Sequence, residues 1–147
     1  MTSASAAPHP APHRASAHGP LQWRQIVEWL REDGVISAAQ AERTIERCSS
    51  AESSQHPLVR LASVAMARES DGKRLGTELL TETIAPRCGL PFLRIDPLKV
   101  DAGRVAEAMS ASYAERHKIL PVQVSNSEIV VATAEPFIAD WVGEVER

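Results

Sequence analysis

Histidine is the residue type in this sequence best suited to metal or acid–base chemistry, but its spacing favours neither. His9, His13 and His18 lie in a stretch rich in Ala, Pro and Ser, with no thiolate or carboxylate close by in sequence. A zinc site needs three or four such ligands brought together. His56 and His117 each stand alone in the rest of the chain, and His117 falls at the end of a predicted helix, where its charge suits the helix dipole. We therefore predict no metal site.

Cysteine chemistry and the common catalytic motifs are also missing. Cys48 and Cys88 form no CxxC pair and are interpreted as free thiols. The sequence contains no GxxxxGK[ST] phosphate loop, no HExxH and no GxSxG elbow. It therefore predicts no catalytic, cofactor-binding or metal-binding residue.

Length, charge and hydropathy narrow the class of protein further. The chain has 147 residues, a net charge of -3 and a sequence pI of about 5.9. A general binder of nucleic acid or of anionic membranes would need a cationic field. No apolar run approaches the ~18 residues of a membrane span, and two cysteines make no disulfide framework. These features favour a cytosolic protein with one or two small domains.

Helical signals position the residues of the first half. Residues 1–20 form an Ala/Pro/His tail that we expect to be disordered. Over 21–55 we predict a helical hairpin and a linker, with Gly34 ending the first helix and Ser37 and Gln40 forming a capping box for the second. Further helices are expected from Pro57 through Met66 and over 77–87, where Pro86 should kink the last turn or end it early.

The pattern changes from residue 90 onward. We predict strands over 90–95, 120–124 and 128–134, a helix over 102–117, and a last helix opened by Pro136. The expected fold class is α+β, with a helical N-terminal half followed by a small β-α-β-β-α unit. Because so small a sheet is marginal alone and the last helix is unfinished, we expect the chain to be cut from a longer protein.

Four sequence segments carry a resemblance to a known family. They are HPLVRLA (56–62), CGLPFLRIDPLKVD (88–101), AMSASYAERHKILPV (108–122), and IVVATAEPF (129–137) followed by Trp141. In this order and spacing, the stretch from His56 to Trp141 resembles the N-terminal domain of the ATPases that drive type II secretion and type IV pilus assembly. The resemblance assigns residues 56–147 to this domain, truncated at its C-terminal end.

The resemblance implies a non-catalytic adaptor. It would dock the motor on the cytoplasmic domain of an inner-membrane platform protein, inside a bacterium at the inner-membrane face. The parent's own C-terminal ATPase module, beyond residue 147, would hexamerise and use ATP and magnesium. For the fragment itself we expect no cofactor, no nucleic acid, and only indirect contact with the membrane.

Cyclic di-GMP binding is the first alternative, because some relatives carry paired motifs that begin RLG. Here Gln25 stands where the first motif needs Arg, and Val27 where it needs Gly. The second motif begins correctly at 74–76 but has Thr83 in place of a later Gly. Losing the bidentate Arg and a close-approach Gly weakens this interpretation. The RLG triplet also suits a loop that enters a helix.

A helix-turn-helix that reads DNA is the second alternative, since residues 21–48 predict two helices joined by a short turn. The second helix offers Arg43 and Arg47, but Glu42 and Glu46 stand among them. Without residues 1–20 the chain has 15 basic and 19 acidic residues, a net charge of -4. Attraction to phosphate would therefore be poor.

The first predicted helix is our candidate for the protein-binding face. It carries Trp23, Arg24, Trp29 and Arg31, and tryptophan and arginine are enriched at interface hot spots. We expect Trp29→Ala to weaken binding to the platform protein while leaving the fold intact. The other interpretation, that both tryptophans complete the helical core, stays open.

Overall fold

A computed structural model describes residues 18–147, so most of the predicted tail, with His9 and His13, lies outside the described residues. Helices and strands occur in separate parts of the described chain, as expected for an α+β protein. The elements are α1 (Trp23–Glu32), α2 (Ala38–Ser49), α3 (Pro57–Ala62), α4 (Thr77–Cys88), α5 (Ala102–Ala108), α6 (Ala111–His117), β1 (Ile119–Val124), β2 (Ile129–Thr133) and α7 (Val142–Val145). We call residues 21–88 the helical unit and residues 89–147 the α+β unit.

The predicted hairpin of α1 and α2 is confirmed. Gly34 adopts a left-handed φ of 70° just after α1, and Ser37 caps α2 by accepting the Gln40 N–H at 3.1 Å. The return half of the predicted capping box is wrong. The Gln40 side chain instead donates to the Ala67 carbonyl at 2.9 Å and accepts the Ala67 N–H at 3.0 Å. Gln40 therefore joins α2 to the chain after α3.

The third helix is shorter than its periodicity predicts. It ends at Ala62, and Ala65 then adopts a left-handed φ of 62°. Met66 lies beyond this turn, where its carbonyl accepts the Leu75 N–H at 2.8 Å. Its side chain is nevertheless buried, as the apolar stripe predicts. Met66 is therefore buried as predicted, but its backbone belongs to a turn and not to the helix.

The fourth helix runs past its proline. Pro86 lies inside α4, which continues to Cys88 and ends at Gly89, whose φ is 69°. The expected early end is therefore wrong, because a proline in the last turn removes only one helical hydrogen bond near a terminus. The left-handed glycine that follows is the usual way to end a helix.

The helical unit has one continuous hydrophobic core. It is built from the inner faces of α1 to α4 and from the turn at 64–76, and it spans both sides of the domain boundary predicted at residue 56. Its fully buried members include Ile26, Val27, Leu30, Leu61, Leu75 and Leu80.

The α+β unit departs most from the sequence predictions. Residues 90–95 form no strand, and the sheet has two antiparallel strands, β1 and β2, with an irregularity between Pro121 and Gln123. Pro91 supplies no N–H for a ladder, and Asp96-Pro97 ends the segment. Residues 90–95 therefore do not pair with a neighbouring strand.

The predicted helix over 102–117 is two helices. Met109 is extended (φ -156°, ψ 135°), and the Ser110 hydroxyl accepts the Tyr113 N–H at 3.3 Å and so caps α6. A serine that can cap competes with a continuous helix at this point. The last helix is also shorter than expected, because only Val142–Val145 is helical after Pro136.

Candidate docking surface on the first helix

Two guanidinium groups lie close to the Trp23 ring. The Arg24 guanidinium carbon is 4.7 Å from the ring centroid, and that of Arg60 is 5.3 Å from it. A cation within about 6 Å of an indole face is attracted by the ring quadrupole. Trp23 itself is partly buried against the helical core, and Arg24 is exposed. We call these three residues the Trp23 stack.

Backbone and side-chain hydrogen bonds hold the stack in place. Arg24 donates to the Ser49 hydroxyl at 2.9 Å, at the end of α2. Arg60 donates to the carbonyl oxygens of Cys48 and Ala51. Arg60 thereby satisfies carbonyls at the C-terminal end of α2, where they lack helical partners, and Arg24 bonds to a side chain at the same end. These hydrogen bonds hold both guanidinium groups beside Trp23, so the positive charge of the stack has a fixed position.

Arg31 lies on the same exposed side of α1 as Arg24. The two are seven positions apart, which returns to the same helix face about 10 Å further along. Arg31 forms an ion pair with Glu28, with N and O 2.9 Å apart. The hydrogen bond and the charge of Glu28 raise the pKa of the Arg31 guanidinium. Arg31 is therefore partly neutralised, whereas no acidic side chain lies within ion-pair distance of Arg24 among the described residues.

Trp29 lies elsewhere. Its ring meets Phe137 of the α+β unit edge to face, with centroids 6.2 Å apart and planes at 67°. Both rings are partly buried and pack against the helical core. Of the four predicted docking residues, the structure thus brings Trp23 and Arg24 together, places Arg31 on the same side, and gives Trp29 a contact between the two units.

Sequence reasoning missed Arg60 as a member of the surface. Its position on α3 carries no local pattern that points to α1, because the contact depends on how the two helices pack. A weak signal exists, since Arg60 is the cation in the HPLVRLA segment and follows the helix start by one turn.

The residues proposed for the two alternative functions are divided between the hydrophobic core and the surface. Val27 is fully buried in the core, and Leu75 of the RLG triplet is buried as well. Gly76 has φ of -75° and precedes α4, as expected for a loop that enters a helix. Arg43 and Arg47 line an open cleft of about 370 Å³ against the turn at Val64–Met66.

Among residues 18–147 the metal-ligating side chains are dispersed and burial raises the pKa of both thiols. No group of three or more His, Cys, Asp or Glu side chains there could hold a metal ion. Burial raises the pKa of the Cys88 thiol to about 11, and burial likewise raises that of Cys48 against the opposing effect of Arg60. Neither thiol is therefore activated as a nucleophile. None of the described helices is both long and apolar enough to cross a bilayer.

The chain is similar to one known domain family and to one pilus assembly ATPase. Residues 88–147 match the MshEN domain. Over 129 residues the chain is 33% identical to the type IV pilus assembly ATPase TfpB of Acinetobacter baylyi, an alignment that covers 85% of this chain and 21% of that protein. The chain thus spans about a fifth of the length of this relative.

Proposed function

Since the chain belongs with the N-terminal domains of the type II secretion and type IV pilus ATPases and carries an MshEN domain at residues 88–147, we propose that it is an adaptor. It docks a cytoplasmic motor onto the cytoplasmic domain of an inner-membrane platform protein. Nucleotide hydrolysis belongs to an ATPase module outside these 147 residues. The chain itself contributes binding and no chemistry.

The Trp23 stack is the observation that carries this proposal. It combines a large aromatic ring with exposed positive charge, held in place by two arginines that bond to the end of α2. Rigid aromatic and arginine side chains supply much of the binding energy in protein interfaces. Among the described residues no cluster of metal-ligating side chains competes with this interpretation.

The surface we propose for docking consists of Trp23, Arg24 and Arg31. Trp29 contributes through its contact with Phe137, by fixing the α+β unit against α1, and not by touching the partner. A platform domain that fits this surface presents acidic side chains opposite Arg24. Charge complementarity of this kind raises the association rate and falls with added salt.

Charge reversal at Arg24 tests the proposal. Calorimetry would compare the 147-residue chain, its Arg24→Glu variant and an Arg43→Glu control, each titrated with the platform protein's cytoplasmic domain. We expect Arg24→Glu to weaken binding at least ~10-fold, which is about 1.4 kcal/mol. Arg43→Glu changes an exposed arginine on α2 away from the stack and should leave affinity within about 2-fold.

Two results would overturn the proposal. One is equal affinity of the wild type and the Arg24→Glu variant for the platform domain. The other is micromolar binding of cyclic di-GMP without binding of the platform domain, which would support the sensor alternative. Circular dichroism of each variant confirms that the helices are retained.

A further inference from the structure

Three segments that are distant in sequence meet at one polar junction. They are the entry to α1 at Leu21, the N-terminus of α3 at His56, and the residues that follow β2, Ala134 and Glu135. The first two belong to the helical unit and the last two to the α+β unit. The junction therefore joins the two units through hydrogen bonds, beside the Trp29–Phe137 contact.

Glu135 is the buried member of this junction. The residue is only 8% exposed, yet one carboxylate oxygen accepts the Leu21 N–H at 2.8 Å. The other oxygen lies 3.3 Å from Nε2 of His56. A buried carboxylate is costly unless its oxygens find donors. Both donors of Glu135 come from the helical unit.

His56 has two tasks, and each of its ring nitrogens serves one. Nδ1 accepts the Leu58 N–H at 3.2 Å and so caps α3, while Nε2 donates to the Ala134 carbonyl at 2.8 Å. Only the neutral ring with its proton on Nε2 can satisfy both, because Nδ1 must keep its lone pair. A doubly protonated ring would turn an N–H toward the N–H of Leu58.

We propose that His56 is a proton-sensitive latch on the first turn of α3, held in place by Ala134 and Glu135 of the α+β unit. When neutral, it caps α3 and holds Ala134. When protonated, it gives up the cap and instead pairs its charge with Glu135. Acidification therefore frees the first turn of α3 while the junction with the α+β unit stays closed.

The charges around His56 support this exchange. Glu135, which follows β2, is the acidic group within ion-pair distance of His56 among the described residues. On α3 the nearest cation is Arg60, whose guanidinium is engaged with the carbonyls of Cys48 and Ala51. From the entry to α1, the junction receives the backbone N–H of Leu21. A protonated ring would thus gain an attractive partner and lose a hydrogen bond.

An asparagine at position 56 separates the two tasks. Asparagine is a good N-cap, so its side-chain oxygen can accept the Leu58 N–H. Its side chain is shorter than that of histidine and carries no titratable proton, so it does not bridge to Ala134 and Glu135. Glu135→Gln is the matched variant on the other side, since it keeps an acceptor oxygen for Leu21 and removes the charge.

Hydrogen exchange of single backbone amides, followed by NMR on the 147-residue chain, tests the latch. When the pH is lowered from about 7.5 to about 5.5, the protection factor of the Leu58 amide should fall at least ~5-fold in the wild type. That of the Leu21 amide should stay within about 2-fold, because its acceptor is Glu135 and the pairing of Glu135 with His56 is kept. In His56→Asn, Leu58 protection should no longer depend on pH, and Leu21 protection should be at least ~10-fold lower at both pH values.

Glu135→Gln adds a second readout. Without the carboxylate charge, protonation of His56 has no compensating partner, so acidification should lower Leu21 protection in this variant alone. The latch is refuted if Leu58 protection falls with pH equally in the wild type and in His56→Asn. It is also refuted if His56→Asn leaves Leu21 protection at its wild-type value. Unchanged protection at Ile26 in all variants shows that the core is intact.

Discussion

The helical unit and the α+β unit differ sharply in how much apolar surface they bury. Of the fifteen buried hydrophobic residues in the described part of the chain, thirteen lie between Leu21 and Ile84, and two, Met109 and Ile119, lie in the α+β unit. Most exposed large apolar side chains show the reverse distribution: Leu90, Leu93, Ile95, Leu98 and Leu120 all belong to the α+β unit.

This difference shows that the family match and the folding core do not coincide. The MshEN match begins at residue 88, where the well-buried part of the chain ends. A two-stranded sheet is at best marginally stable alone. The α+β unit therefore relies on its contacts with the helical unit, which include Trp29–Phe137 and the junction at Glu135.

Truncation of a core leucine should give the largest effect. Leu61 is fully buried between the helices, so Leu61→Ala should lower the free energy of unfolding by about 2–5 kcal/mol. Leu98 is 95% exposed, and Leu98→Ala should change it by less than about 0.5 kcal/mol. Urea unfolding followed by tryptophan fluorescence measures both. Similar losses in the two variants would contradict the contrast between the units.

Loss of the aromatic contact should have an intermediate effect. Phe137 is partly buried, so Phe137→Ala should cost about 1–2 kcal/mol, less than a full core truncation. The loss should fall on the α+β unit, whose amides should exchange faster while those of α1 to α4 stay protected. Uniformly faster exchange in both units would instead show one cooperative core.

Removal of matched helix caps should give a smaller effect. Ser37 caps α2 in the helical unit and Ser110 caps α6 in the α+β unit, each through its hydroxyl. Ser37→Ala should lower global stability by about 1 kcal/mol. Ser110→Ala should mainly fray α6, which has no buried residue. Equal losses of global stability in the two variants would show that the units unfold together.

The smallest effect should come from the exposed Arg68–Asp71 pair. The hydrogen bond from Arg68 holds the pKa of the Asp71 carboxyl well below its ordinary value. A carboxyl with a depressed pKa stabilises the fold above its unfolded pKa of about 3.9 and loses this contribution as pH falls. In Asp71→Asn, the free energy of unfolding should therefore fall slightly less steeply as the pH is lowered. An unchanged pH dependence would show that solvent screens the pair completely.

Local signals account for the parts of the fold that the sequence predicts well. Gly34 and Ser37 lie at the turn between α1 and α2, and each acts on a backbone group a few residues away. The apolar stripe of Ile26, Val27 and Leu30 likewise predicts which face of α1 is buried. Such features need no knowledge of the rest of the chain.

Features that depend on distant partners could not be predicted in this way. Residues 90–95 have the composition of a strand but find no neighbouring strand to pair with. The Gln40 side chain satisfies Ala67 and not its own helix terminus. Arg60 and His56 reach α1 and the α+β unit only because the helices pack as they do. Of the predicted docking residues, Trp29 shows the same limit, since its partner Phe137 lies 108 positions later.

The central claim is that this chain binds a protein partner and performs no chemistry. A single titration series on the purified 147-residue chain tests it most directly, with the platform protein's cytoplasmic domain as titrant and phosphate release from ATP measured in the same samples. The account predicts saturable binding that weakens with salt, and no phosphate release above the buffer. Absence of binding, or turnover of ATP by the chain alone, would contradict it.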